Sequence, residues 1–195
     1  RLNASGRARS GLSRSFQGLE LFNDATVYEN LSVAADPQDR WSYIRDLVRP
    51  KNPLFTGPVV RAITQFDLEH DLHRDVKDLS YGKRRLLAIA RAVAMVPSVL
   101  LLDEPAAGLD LGGREDLLKR FSIFASDPNA PATILVTHHI EEIPSGTTHA
   151  LILKNGVAAV SGPIADVITS EHMSNIFELP MEVRFDGYRF SARAL

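Results

Sequence analysis

The sequence predicts an α/β fold with a mostly parallel sheet, a helical insertion and a hairpin-rich tail. Three observations predict it. Val99 to Leu102 is a short apolar run closed by two acids, and Ile134 to Val136 is a second such run, closed by Thr137 and His138. Between Leu79 and Pro97 lies an amphipathic stretch whose apolar face is Leu86, Leu87, Ala90, Val93 and Ala94. Apolar runs this short, with no alternation, read as strands buried on both faces, as parallel strands are. A helix leading into such a strand is the α/β pattern.

Composition bounds the class. At 195 residues the chain suits one large domain, or a core with a smaller subdomain. A net charge of −2 argues against a dedicated nucleic-acid binder, which is usually strongly basic. The absence of cysteine excludes disulfides and thiolate metal sites, and is compatible with a reducing compartment. The longest apolar candidate for a membrane span, Leu86 to Leu102, contains Arg91 and Pro97 and falls short of about 20 clean residues. No signal peptide is visible.

Taken in order, the chain opens in a Ser/Arg/Gly-rich stretch with Arg7, Arg9 and Arg14 and no acid before Glu20, which reads as a surface segment. Thr26 is placed to cap a helix running through Ala34. Pro50 to Pro58 reads as a loop, and Val59 to Leu68 as a helix with Val59, Ile63 and Phe66 on one face. Ser80 can cap the helix that begins near Gly82. Gly82 lets a ligand approach the backbone, and the helix amino end offers donors and a positive dipole to an anion. Pro97 ends that helix. At the carboxyl end of the strand that follows stand Asp103 and Glu104, where open α/β sheets bind their ligands, and Pro105 stops the ladder. Neighbours on an extended segment point to opposite sides, so one acid can hold a metal while the other faces water.

His138 lies just past the second strand. The adjacent pair His138-His139 diverges and has no third ligand at usable spacing, so metal binding by that pair is not expected. Ala150 to Leu153 and Val157 to Val160 flank Asn155-Gly156, a strong hairpin signal. Pro163 marks a helix start, with Ile164, Val167 and Ile168 on its apolar face. A second short helix carries Met173, Ile176, Phe177 and Leu179. Met181 to Ala194 reads as another hairpin around Asp186-Gly187.

With Leu79 to Arg85, Val99 to Asp110 and Ile134 to His138 in this order, the chain resembles the ATP-binding cassette family, the ATPases that drive membrane transporters. The resemblance runs from about Ser15 to Gly162. Asp103-Glu104 looks like the Walker B pair, Ala107-Gly108-Leu109-Asp110 like the D-loop, and Leu79 to Lys83 like the signature loop. Arg9 to Gln17 looks like the approach to the Q-loop. The signature reads Leu-Ser-Tyr-Gly-Lys where the family usually has Leu-Ser-Gly-Gly-Gln, so Tyr81 and Lys83 depart from it. The phosphate-cradling pattern G-x-x-x-x-G-K-S/T is absent, because Gly82-Lys83 is followed by Arg84.

The resemblance implies a P-loop nucleotide-triphosphatase-like sheet, incomplete at its amino end. Residues 1–18 and 97–165 would form the ATPase core, residues 19–96 a helical signature subdomain, and residues 166–195 a carboxyl-terminal extension. It implies ATP and Mg2+ as cofactors. Glu104 would polarise the attacking water, Asp103 would hold magnesium through water, and Gln17 would sense both. His138 would stabilise the γ-phosphate. Ser80 and Gly82 would close on ATP held by a second nucleotide-binding domain, with Asp110 coupling the two sites.

Further expectations are permease partners and a peripheral place at the inner face of the cell membrane. Phe16 to Leu31 and the Tyr81-containing signature resemble branched-chain amino acid importers, whereas His138 to Pro144 and the tail resemble metal-chelate-type ATPases. Residues 1–195 alone, without a phosphate-cradling loop, are expected to be inactive. The alternatives are a cassette ATPase acting on nucleic acid or ribosomes, supported by the basic head, and a degenerate non-catalytic binding module.

Overall fold

Among the described residues, β1 (Leu12–Ser15), β2 (Val99–Asp103) and β3 (Ala132–Val136) form one parallel sheet in the order β1-β2-β3. The computed structural model describes residues 12–15, 21–35 and 57–195. Its contacts divide into two compact units. One comprises the residues up to Arg120 together with Asn129–Val136, and the other Phe121–Pro128 with Thr137–Leu195.

In the first unit, β2 is the middle strand. Leu100 and Leu102 are fully buried, while Val99, Leu101 and Asp103 are half-buried. The expectation of a strand buried on both faces therefore holds fully for one face only. β3 departs further: Ile134 is 53% exposed and Val136 40%. It pairs with β2 alone among the described strands, so its apolar character is not matched by burial. The expected neighbourhood of the two strands is observed, with Asp103 opposite Val136 in register.

The helical segment contributes α1 (Val27–Ala35), α2 (Gly57–Gln65) and α3 (Tyr81–Ala94). Thr26 and Glu29 cap α1 reciprocally. The Glu29 N–H donates to Thr26 Oγ1 at 3.2 Å, and the Thr26 N–H donates to Glu29 Oε2 at 2.7 Å. Fully buried Asn30 ties this helix to the chain before it, accepting from the Phe22 N–H at 3.0 Å and donating to the Phe22 carbonyl at 3.1 Å. Such pairing is what makes a buried amide tolerable.

The expected loop ending at Pro58 is corrected here. Gly57 and Pro58 open α2, where proline's missing N–H is one of the helix's unpaired donors anyway. That helix stops at Gln65, short of Leu68. Val27, Leu31, Val59, Phe66, Leu68, Val76 and Leu87 form the apolar interior against which α3 packs. After Pro105 the chain turns and enters α4 (Leu111–Ala125), whose buried face is Leu117, Leu118, Phe121 and Phe124.

The second unit is built from local pairs. β4 (His149–Lys154) and β5 (Val157–Pro163) are antiparallel about Asn155-Gly156, at φ +53° and +78°. Both central residues in the left-handed region match the hairpin turn the sequence predicts. Pro163 ends β5 and stands at the start of the short α5 (Ile164–Val167) as its N-cap, as the sequence predicts. Next come α6 (Ser170–Phe177), capped by Thr169, and the hairpin of β6 (Met181–Phe185) and β7 (Phe190–Ala194). Val167, Ile168 and Phe190 centre a small core with Ile143, Ile152, Val160 and Val183 around it. No helix among the described residues is long and apolar enough to cross a membrane.

Candidate functional site

The acids sit where β2 ends. Asp103 closes the strand and is half-buried. Glu104 follows at φ +44°, with its N–H donating to the Val136 carbonyl at 2.9 Å. The left-handed region costs a residue with a Cβ about 1–2 kcal/mol, and such conformations cluster where function requires them. The alternation expected of an extended Asp-Glu pair is corrected by this turn, because the extended backbone stops at Asp103. The Glu104 main-chain carbonyl accepts from the Ala107 N–H at 3.1 Å, which starts the loop to Asp110.

Asp110 ends that loop by capping α4. Its Oδ1 accepts from the Gly113 N–H at 2.7 Å, and its carbonyl accepts from the Arg114 N–H at 2.9 Å. A Cβ on Gly113 would meet that carboxylate oxygen at 3.0 Å, so glycine lets the cap close this tightly. Gly108, at φ +76°, provides the loop's left-handed step.

The signature loop lies in the same unit. Ser80 caps α3, its Oγ accepting from the Lys83 N–H at 3.3 Å, as expected. Gly82 faces the loop just described: a Cβ there would come within 3.8 Å of Leu109 Cδ2 and 4.0 Å of Gly113 Cα. Ser80, Gly82 and Asp110 thus belong to adjoining loops of one chain.

Lys83 points elsewhere, donating to the Asp67 carbonyl at 2.8 Å and pairing with Asp71 at 3.2 Å. Asp71 is 6% exposed and also accepts from Arg74 at 2.8 Å. Burial pushes the Asp71 carboxyl up, but hydrogen bonds from Arg74 and Lys83 outweigh it and hold the group below its ordinary value. Arg120 joins the cluster through Asp67, at 3.1 Å.

In the other unit, His138 is exposed. The Thr137 hydroxyl beside it donates to buried Glu142 at 2.5 Å and accepts from the His139 N–H at 3.1 Å. Gln17 lies outside the described residues.

No cluster of three or more His, Cys, Asp or Glu side chains suited to a metal occurs among the described residues. That is compatible with Mg2+, which keeps several waters and is bound by one or two carboxylates plus substrate phosphates.

The ABC transporter family model matches residues 3–107, more than half of the chain. The chain belongs to the ABC transporter family. It is 40% identical over 122 residues to an ABC transporter ATP-binding protein of Bacillus subtilis, covering 62% of this chain and 46% of that one. It is 30% identical over 162 residues to the high-affinity branched-chain amino acid transport ATP-binding protein of Pseudomonas aeruginosa, covering 80% and 62%. Among solved structures, cbiO1 from Clostridium perfringens, part of the ABC transporter complex cbiONQ, aligns with a TM-score of 0.66 at 26% identity, covering 89% and 66%. The α/β fold and parallel sheet are those of ABC ATPases. The chain spans about half the length of the curated relatives it matches first.

Several features of this ABC chain escape sequence reasoning. The helix after Asp110 carries two glycines in its first turn, which hid it. The turn of Lys83 toward Asp71 depends on residues twelve and more positions away and has no local signal. Buried Arg85 interrupts the apolar face of α3, and its guanidinium stands 5.7 Å from the Tyr81 ring centroid.

Proposed function

We propose that this chain carries the water-activating, metal-holding and partner-facing residues of an ATP-hydrolysing subunit that drives an ABC transporter. The observation that carries the reading is Glu104: an acid held in the left-handed region at the carboxyl end of β2, its N–H fixed by the neighbouring strand. In this reading Glu104 accepts the hydrogen bond of the attacking water and orients it toward the γ-phosphate. Phosphoryl transfer is mainly positioning and charge stabilisation, so a fixed backbone is what the reaction asks of the group.

Asp103, together with Gln17, would hold Mg2+, which when bound neutralises charge on the phosphates. His138 is assigned to the γ-phosphate. Ser80, Gly82 and the amino end of α3 would meet a nucleotide on a second nucleotide-binding domain, with oriented N–H groups facing its phosphates. Asp110, held by its cap, would couple the two sites. As the energising subunit of a transporter, the chain would lie against permease partners, peripheral to the inner face of the membrane.

Replacing Glu104 by Gln in the intact subunit tests the assignment. Turnover is expected to fall at least 100-fold while ATP binding is kept. Undiminished turnover removes Glu104 as the water-orienting group. For the cargo, branched-chain amino acids are supported by the residues from Phe16 to Leu31 and by the name of the Pseudomonas relative. Stimulation of the permease-bound ATPase by leucine, isoleucine or valine, and not by metal chelates, is the expected result.

A further inference from the structure

Tyr81 stands where the family's usual signature has glycine, and the structure gives its ring a specific neighbour. A Cβ built on Gly108 would lie 3.5 Å from Tyr81 Cε1, 3.7 Å from its Oη and 3.8 Å from Cζ. The ring therefore stands over Gly108, lining the space a side chain there would enter, at the point where the loop takes its left-handed step, φ +76°. Gly82, the next residue, faces the same loop, since a Cβ built there would come within 3.8 Å of Leu109 Cδ2 and 4.0 Å of Gly113 Cα in the first turn of α4. One turn further along α3, the Arg85 guanidinium is 5.7 Å from the Tyr81 ring centroid, within cation–π range. Arg85 is itself buried, so the ring's second neighbour is fixed in place. Tyr81 remains 44% exposed, so it sits at the rim of this contact rather than in the core.

We propose that Tyr81 is a positioning residue that clamps the Ala107–Asp110 loop to the amino end of α3, so that Ser80, Gly82 and Asp110 reach a partner subunit as one rigid block. A glycine at this position has no side chain and cannot make the contact. The departure from the usual signature thus places an aromatic ring between the amino end of α3 and the Ala107–Asp110 loop. The ring supplies the link, and its hydroxyl is dispensable. The proposal rests on the reading of Ser80, Gly82 and Asp110 as partner-facing residues.

Two variants test it, Tyr81→Ala and Tyr81→Phe; alanine keeps the helix turn intact. Amide hydrogen exchange is read at residues 107–110, and ATP-driven self-association and steady-state ATPase kinetics are read on the intact subunit. Tyr81→Ala is expected to speed exchange in the loop about tenfold. It should also weaken ATP-driven association about tenfold and lower kcat, with nucleotide affinity of the separate subunit unchanged. Tyr81→Phe should match the unaltered protein in all of these, which a role for the hydroxyl would not allow. Unchanged loop exchange in Tyr81→Ala overturns the clamp, and so does a Tyr81→Phe variant as impaired as Tyr81→Ala. If the unaltered subunit shows no ATP-driven association, the partner-facing reading fails instead, while the exchange rates still decide the clamp.

Discussion

Lys83 and Asp71 form an ion pair 3.2 Å long that draws the signature helix onto the segment before it. The lysine stands where the family's usual signature has glutamine, and a neutral amide could not balance the buried carboxylate in the same way. The substitution at Lys83 and the acid at Asp71 are therefore one feature.

That pair sets a pH dependence. Asp71 has a folded-state value below the ordinary carboxylate value of about 3.9. Its contribution to stability is therefore fully present above the unfolded value and is lost as pH falls through the lowered one. Asp71→Asn is expected to cost about 1–3 kcal/mol at pH 7. The gap between variant and unaltered protein should close as pH falls below about 4. Urea titrations of both proteins from pH 7 to pH 3 check this, and a gap that widens in acid would contradict it.

Glu104 offers a trade between stability and turnover. Glycine reaches φ +44° without the Cβ penalty, so Glu104→Gly should stabilise the fold by about 0.5–1 kcal/mol while removing the acid. The expected outcome is a higher denaturation midpoint together with lost ATP turnover in the intact subunit. A lower midpoint would mean that the Glu104 side chain holds the fold by contacts worth more than the backbone strain.

Val96 shows the same strain with no activity attached. It follows the last turn of α3 at φ +50°, is β-branched, and is 67% exposed, so little packing opposes its replacement. Val96→Gly should raise stability by about 1 kcal/mol. Val96→Ala should recover much less, because alanine keeps the Cβ. Thermal melts of the two variants side by side distinguish relief of strain from loss of an exposed apolar group.

Substitution can separate the cap that Asp110 makes from the coupling role proposed for it. Asp110→Ala removes the cap of α4 and should cost about 1 kcal/mol. Asp110→Asn and Asp110→Ser keep a capping oxygen and should recover most of that stability. If Asp110 also couples two nucleotide sites, the asparagine variant keeps its melting temperature and still loses cooperativity in ATP hydrolysis. Full cooperativity in that variant would confine Asp110 to the cap.

Most of the fold was legible because its signals are local. Ser80, Thr26, Asn155-Gly156 and Asp186-Gly187 act within a few residues of themselves, and each does what its chemistry predicts. The adjacency of the strands before Asp103 and His138 follows from the family resemblance, in which both residues would reach one γ-phosphate. Burial was less legible: an apolar composition led to the expectation that β3 is covered, yet Ile134 and Val136 are largely exposed. Periodicity says which residues could be covered, not what covers them. At the site, sequence fixed attention on the acids but assumed an extended Asp-Glu pair, since nothing in Leu-Asp-Glu-Pro announces a left-handed glutamate. The Lys83 and Tyr81 contacts are tertiary, made across loops, and leave no periodic trace.

The pairing of Leu12 with Val99 has a bearing on how the molecule assembles. β1 is made early, but its neighbour β2 lies beyond the entire helical segment. Joining them closes a loop whose chain entropy is about 4 kcal/mol. The contacts between α2 and α3, and the two hairpins of the other unit, join segments closer in sequence and close smaller loops. On a growing chain, β1 must therefore wait beside a finished helical segment until the acid-bearing strand is synthesised. The sheet that carries Asp103 and Glu104 is then set late, against a surface already in place, and its assembly rate is governed by loop closure rather than by strand propensity.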